Sequence, residues 1–329
     1  LIILLIFSIQ GHSVHECGAP HMELNSIGHA KHGCDDLKET DFFYGDSRGD
    51  SPELAARGKY EVGVRAQLVV NPSQPDVLNH SAKEGSLLYD RELILEVWYP
   101  AKLSKNQQQI TTYSDVLGHG SNDPDRPHLS FHFGGRAARN GEVDPERVSS
   151  PLVIISHGYS GSRVMMTWLA ENLASKGYVV VAIDHTDSTH ADAGPISSTM
   201  VHRPRDINFV ISAISNMNQK KTSFLFGMVN TELTAVIGYS MGTYGALIAA
   251  GVGASKLALR FPGDIPEQYL VGLQADNPNF ETMLDKRIKV IIAFAPFAPL
   301  GYWSEAGIKN LKIPSLFIVG DQDQTTGFA

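Results

Sequence analysis

The sequence predicts an α/β protein built on a mostly parallel, doubly wound sheet, and three observations carry that expectation. Short Val- and Ile-rich runs at 151–156, 178–184, 233–239, 288–295 and 315–320 alternate with segments of helical spacing at 163–176, at 203–218 and from Met241 onward. The runs are apolar at consecutive positions, as strands covered by helices on both sheet faces must be. Finally, the residues with chemical potential fall just after the runs, at the carboxyl ends where sites gather in such sheets.

The elements before the parallel core read differently. Residues 1–9, LIILLIFSI, form an apolar run too short to span a bilayer, and small polar residues follow at Gly11-His12-Ser13. This is the profile of a signal-peptide core and cleavage region, without an initiator Met or a basic segment before it, so 1–13 is assigned to a partial signal peptide and the protein to a secreted or periplasmic location. Residues 14–59 form a polar, Gly-rich leader with both cysteines, Cys17 and Cys34, and with histidines at His15, His21, His29 and His32 just after His12. In an oxidising compartment a Cys17–Cys34 disulfide fits this leader, whereas the spacing matches no paired zinc pattern, so no metal site is assigned. Arg48-Gly49-Asp50 is a tripeptide of the length that chance supplies.

The domain proper is expected over 60–329. Residues 61–70 (EVGVRAQLVV) alternate with period two, and 91–99 (RELILEVWY) read as a largely buried strand, so the two form an antiparallel opening pair. Residues 101–150 are rich in Gly, Asn, Asp, Pro and His without a sustained period and are expected to be a long surface insertion. The helix at 203–218 places Ile207, Val210, Ile211 and Ile214 on one face. With 43% hydrophobic and 19% charged residues the chain has ample material for one core, and its net charge of −8 with no basic run argues against nucleic acid or an anionic membrane as partner.

Three motifs carry chemistry. The first is Gly238-Tyr239-Ser240-Met241-Gly242, set between a strand and a small-residue helix, the context a nucleophile elbow needs; side chains at Gly238 or Gly242 would collide with the neighbouring strand or helix. The second is His157-Gly158-Tyr159-Ser160-Gly161, directly after the 151–156 strand. Acyl transfer needs two backbone N–H groups aimed at the developing oxyanion, and the amides of Tyr159 and Met241 stand at the two positions that supply them. His157 is read as a structural histidine bonded to this loop, and Ser160 lacks the elbow spacing. The third is the run 317–323, FIVGDQD, a strand ending in two carboxylates. Asp323, farther out in the loop, is preferred over Asp321 as the acid that would orient a histidine.

Together YEVGVR (60–65), VWYPA (97–101), ISHGYSG (155–161), the GYSMG elbow, DKRIKVIIAFAP (285–296) and IVGDQD resemble the platelet-activating factor acetylhydrolase and predicted dienelactone hydrolase-like branch of the α/β-hydrolase superfamily. The resemblance covers nearly everything from Tyr60 onward. It implies an α/β-hydrolase fold and a serine ester hydrolase with Ser240 as nucleophile, Asp323 as acid and the Tyr159 and Met241 amides as oxyanion donors. It implies no metal or organic cofactor. True dienelactone hydrolases carry a cysteine where this chain has Ser240, so a dienelactone is not the expected substrate. The same motifs are similar to cutinase-like polyester hydrolases, which implies that Tyr159 clamps the acyl group and that Phe297 and Trp303 line the same cleft. The implied substrates are a small ester, a short-acyl phospholipid or a polyester.

One departure stands out. In these hydrolases the histidine follows the acid, and here the last histidine is His202. The expectation is therefore a chain that is C-terminally incomplete before the last helix and strand, the base lying beyond Ala329. His185 and His190, after the 178–184 strand, are the upstream substitutes to weigh. A non-catalytic hydrolase-like binding protein is the alternative from another class.

Overall fold

A computed structural model describes residues 37–38, 41–43, 45–47, 49–79, 87–117, 129–146, 149–256, 267–297 and 302–326. Cys17, Cys34 and the leader histidines lie outside the described residues, as does the apolar run at 1–9. In chain order the strands are β1 (Glu61–Pro75), β2 (Leu88–Ala101), β3 (Thr111–Leu117), β4 (Leu129–Gly135), β5 (Ala138–Arg139), β6 (Ser150–Ser156), β7 (Val179–Asp184), β8 (Val229–Tyr239), β9 (Ile288–Phe294) and β10 (Ser315–Ile318). The helices are α1 (Thr167–Ser175), α2 (Ile196–Gln219), α3 (Met241–Ala249), α4 (Glu267–Val271) and α5 (Glu305–Lys309).

Eight strands form one sheet in the order β10-β9-β8-β6-β7-β2-β1-β5. The five from β10 to β7 run parallel, and β2 joins β7 antiparallel with Val97 opposite Val181. The opening pair is antiparallel as its alternation predicts, with Arg65 opposite Val97, and β5 runs along the outer side of β1. One face carries Leu95, Val97, Ile154, Val181 and Val236 against Ile207, Val210, Ile211 and Ile214 of α2 and Ala246 and Ala249 of α3. The other packs Trp98, Val153, Ile155, Val180 and Ile237 against Ala170 and Ala174 of α1. The sheet is thus covered on both faces, and the runs that looked buried are buried for that reason.

Three elements differ from expectation. The helix expected at 203–218 starts seven residues earlier, at Ile196. Its interior Pro204 reads in sequence as a first-turn proline, and Ser197, Ser198 and Thr199 before it are weak helix formers, yet tertiary burial of those three residues extends the helix. Proline lacks the N–H that would bond the Met200 carbonyl one turn back, and the Tyr244 hydroxyl of α3 donates to that carbonyl instead, at 2.7 Å. The helix expected at 163–176 is only Thr167–Ser175, the residues before it forming a turn. The insertion at 101–150 contains a β-hairpin, β3 with β4, in which Tyr113 opposes Phe133. Its foot is locked to the sheet: the Trp98 indole donates to the Tyr113 hydroxyl at 2.8 Å, and that hydroxyl donates to Glu171 of α1, also at 2.8 Å.

The described part of the leader packs against the same region. Phe43 is buried beneath the Arg136 guanidinium, 4.7 Å from its ring centroid, and Asp46 accepts from Arg136 at 2.6 and 2.7 Å. The polar composition hid this anchoring, because one aromatic and one ion pair suffice to hold it. Among the described residues no helix is long and apolar enough to cross a membrane.

Candidate active site

The elbow is built by the strand-to-helix turn from β8 into α3. Ser240 sits at φ 49°, ψ −117°, a conformation costly for a residue with a Cβ and sustained only where the surroundings impose it. The surroundings are visible. The Ser240 amide donates to the Phe294 carbonyl of β9 at 3.0 Å, while its carbonyl accepts from the Thr243 amide at 2.9 Å and the Thr243 hydroxyl at 2.5 Å. The same hydroxyl oxygen accepts from the Phe297 amide at 2.9 Å, tying the β9 exit to the elbow. A Cβ on Gly242 would stand 1.9 Å from the Ser156 carbonyl oxygen, so only glycine lets α3 approach β6 this closely. Ser240 is half-buried, and the Met241 amide opens the helix.

The loop after β6 lies against this elbow. A Cβ on Gly158 would meet the Tyr239 ring at 2.9 Å and the Ser240 Cβ at 3.4 Å. The Tyr159 hydroxyl donates to the Gly194 carbonyl, bracing the loop from its outer side. His157 is structural, as its sequence position implied. Its Nε2 accepts the His185 amide at 3.2 Å, so Nδ1 carries the proton and donates to the Gly158 carbonyl at 2.6 Å. Burial, and then the Arg203 charge, push its pKa well below the ordinary value.

Behind the loop is a sealed polar network with no counterpart in the sequence reading. Arg203 of α2, with no solvent exposure, donates to the His157 and Gly158 carbonyls, the latter at 3.0 Å, and to the Ser188 hydroxyl at 2.5 Å. Burial lowers its pKa to about 9. Arg91 of β2 grips Asp206 of α2 with two hydrogen bonds, 2.9 and 3.1 Å. Burial alone would raise the Asp206 pKa, but Arg91 and His185 outweigh it and hold the carboxylate ionised. Asp206 also accepts from His185 Nδ1 at 2.9 Å, and His185 Nε2 lies 2.9 Å from the Ser156 hydroxyl. Burial, then the Arg203 charge, lower the His185 pKa to about 4, so the ring is neutral and Nε2 accepts from Ser156. Both His185 nitrogens are therefore occupied, and the ring has none to offer Ser240.

The sequence-nominated side chains divide into two sets. Tyr159, Met241, Phe297 and Trp303 meet in one apolar cluster around Tyr244, which touches Phe297 at 6.3 Å and Trp303 at 5.9 Å between ring centroids. Asp323 follows β10 at the same carboxyl edge of the sheet, but its carboxylate bonds within its own loop. It accepts from the Thr325 and Thr326 amides, each at 3.0 Å, and from the Thr326 hydroxyl at 2.5 Å. That hydroxyl, then the Thr326 amide, holds its pKa below the usual carboxylate value. Among the described residues no histidine hydrogen-bonds the Ser240 hydroxyl, and no group of three or more His, Cys, Asp and Glu gathers to hold a metal.

The sequence model of a family described as PETase, PET hydrolase-like, matches residues 144–260, a stretch that contains Tyr159, Ser240 and Met241 but not Phe297, Trp303 or Asp323. Cutinase 2 of Thermobifida cellulosilytica is similar, 33% identical over 96 residues, which are 29% of this chain and 32% of that protein. Cutinase cut1 of Thermobifida fusca is likewise 33% identical over 96 residues, 29% of this chain and 26% of that protein. The chain spans about a third or less of the length of the curated relatives it matches. Among solved structures, a ferulic acid esterase from Streptomyces cinnamoneus aligns with a TM-score of 0.46 at 18% identity, over 81% of this chain and 75% of that one.

Proposed function

We propose that the chain, an α/β-hydrolase with cutinase-like similarity over residues 144–260, is a serine hydrolase of carboxylic esters acting through an acyl-enzyme on Ser240. The observation that carries the reading is the strained Ser240 backbone, at φ 49° and ψ −117°, with the Gly158-Tyr159 loop packed against its side chain. In the first step the Ser240 hydroxyl oxygen attacks the ester carbonyl carbon as a histidine outside the described residues takes its proton. The Tyr159 and Met241 amides receive the oxyanion, each worth about 3 kcal/mol by the measured weight of such donors. Collapse of the tetrahedral intermediate expels the alcohol, which leaves with that proton, and water repeats the sequence on the acyl-enzyme to release the acid. Asp323 orients the histidine once its own-loop hydrogen bonds yield to the imidazole.

The aromatic wall of Tyr159, Phe297 and Trp303 supports an apolar acyl group, and with the cutinase names of the relatives it favours polyester-type substrates over short-acyl phospholipids. Export through the apolar run at 1–9 would place the enzyme where such polymers are met. The test is fluorophosphonate labelling of the full natural chain beside Ser240→Ala, followed by release of acid from a polyester film, a p-nitrophenyl acetate solution and a short-acyl phospholipid. Labelling lost in Ser240→Ala supports the nucleophile, and film hydrolysis supports the substrate class. Equal labelling of both proteins overturns the reading in favour of a binding module, and turnover confined to the phospholipid overturns only the substrate.

A further inference from the structure

Arg203 is a fully buried cation that, among the described residues, forms no ion pair; its guanidinium is spent on the backbone of the loop that flanks Ser240. The Gly158 carbonyl is held from two sides, by Arg203 Nη2 at 3.0 Å and by His157 Nδ1 at 2.6 Å, and the His157 carbonyl by Arg203 Nη1. The peptide between Gly158 and Tyr159 is trans, so its N–H points opposite to its C=O. With the carbonyl drawn inward to the guanidinium, the Tyr159 N–H points to the opposite side of the peptide, and the loop runs close enough to the elbow that a Cβ added at Gly158 would stand 3.4 Å from the Ser240 Cβ. Resting on the Ser240 reading above, we infer that Arg203 is a positioning residue for catalysis: it aims the Tyr159 amide at the oxyanion and strengthens it as a donor.

Two physical effects act together. The first is orientation. A peptide plane in a loop rotates easily, and two hydrogen bonds on its oxygen remove that freedom before substrate arrives, which is the preorganisation that makes such donors effective. The second is polarisation, because a cation bonded to a peptide oxygen withdraws charge from the same peptide and makes its N–H a better donor. Desolvation strengthens both effects, since Arg203 is wholly buried and Asp206, the carboxylate that acts on it, is already engaged by Arg91 and His185. Ser188 fixes the guanidinium in plane by accepting from Nη2 at 2.5 Å.

The test uses the full natural chain, with Arg203→Met to remove the charge and Arg203→Lys to keep a cation that cannot bridge both carbonyls. Steady-state kinetics on p-nitrophenyl acetate are paired with NMR titration of the adduct that a trifluoromethyl ketone forms on Ser240, whose hemiketal hydroxyl ionises into the oxyanion site. Arg203→Met is expected to lower kcat by about 10- to 100-fold with KM nearly unchanged, part of the effect of deleting a whole donor. The hemiketal pKa should rise by about one unit, a tenfold loss of oxyanion stabilisation. Arg203→Lys should fall between the two proteins in both measurements. A folded Arg203→Met with unchanged kcat and hemiketal pKa overturns the inference. Should Arg203→Met fail to fold, a folded Arg203→Lys with wild-type kcat and hemiketal pKa overturns it equally. An adduct that still forms in Ser240→Ala overturns instead the nucleophile reading, whatever the Arg203 variants do.

Discussion

Two serines close neighbouring parallel strands, and they are opposites. Ser156 at the end of β6 is hydrogen-bonded to His185, which is hydrogen-bonded to Asp206, so it possesses the connectivity of a serine–histidine–aspartate triad. It is also completely buried, as are both its partners. Ser240 at the end of β8 has no such chain among the described residues, yet it is half-buried and carries a strained backbone at the carboxyl edge, where helix α3 opens. Connectivity alone does not make a nucleophile. Attack requires an oxygen that a carbonyl carbon can approach and donors placed where negative charge will develop. The Ser156 chain serves rigidity, holding His185 beneath the loop that begins at His157.

The largest expected effect separates the two directly. Ser240→Ala should lower ester turnover by on the order of a million-fold, as removal of the serine does in a measured serine protease. Ser156→Ala should still take a fluorophosphonate on Ser240; peptide mapping showing the label on Ser156 in the wild type would invert the comparison. Next in size is Asp206→Ala, which leaves the buried Arg91 charge with only the more exposed Asp187 carboxylate, 3.2 Å away. A loss of about 3–5 kcal/mol is expected from urea unfolding, and a variant as stable as the wild type would mean that Asp187 alone satisfies Arg91.

Acid should act on the buried chain before it acts on the elbow. The unfolded chain protonates His185 near its ordinary 6.5, whereas in the folded protein burial, then the Arg203 and Arg91 charges, outweigh Asp206 and keep the ring neutral until about 4. The unfolded state therefore binds more protons across that window. The stabilisation is complete above pH 6.5 and declines as pH falls toward 4, by about 3 kcal/mol in all. Urea titrations at several pH values should show that slope, to which the buried His157 and His202 add in the same direction, and His185→Gln should remove the His185 share. The smallest effect is that of Ser156→Ala on stability, about 1–2 kcal/mol for leaving His185 Nε2 without a donor; a melting shift as large as that of Asp206→Ala would show the two ends of the chain to be equivalent.

Sequence made the central strands legible because burial on both faces leaves uninterrupted apolar runs, and it made Ser240 legible because the elbow demands glycine on both sides. The β3–β4 hairpin was hidden by the brevity of its alternation, seven residues a strand among turn formers. The start of α2 was hidden by Pro204, whose ordinary place is a helix's first turn. Arg203 and Asp206 were missed because charged helix residues usually face water. A signal was present: Arg203 lies four positions before Ile207, and Asp206 four before Val210, so the apolar stripe extended backward runs through both. A charge on the buried stripe of a helix must find partners inside, and here those partners are the loop carbonyls and Arg91. Asp323 was readable as a strand-end carboxylate, but its engagement with Thr325 and Thr326 follows from loop geometry rather than from spacing.

Tyr244 has a consequence for anyone redesigning this protein. Its ring walls the aromatic cluster with Phe297 and Trp303, so it is an obvious position to trim for bulkier substrates. Its hydroxyl, however, is the group that answers the Met200 carbonyl left bare by Pro204, one turn ahead of Arg203 on the same helix. Mutational freedom is thus unequally divided around this cluster. Phe297 and Trp303 are half-buried, and the Trp303 indole bonds back to the Phe297 carbonyl at 3.1 Å within the cluster, while Tyr244 is tied to the helix that bears Arg203, so libraries aimed at new substrates should diversify the first two and hold the third constant.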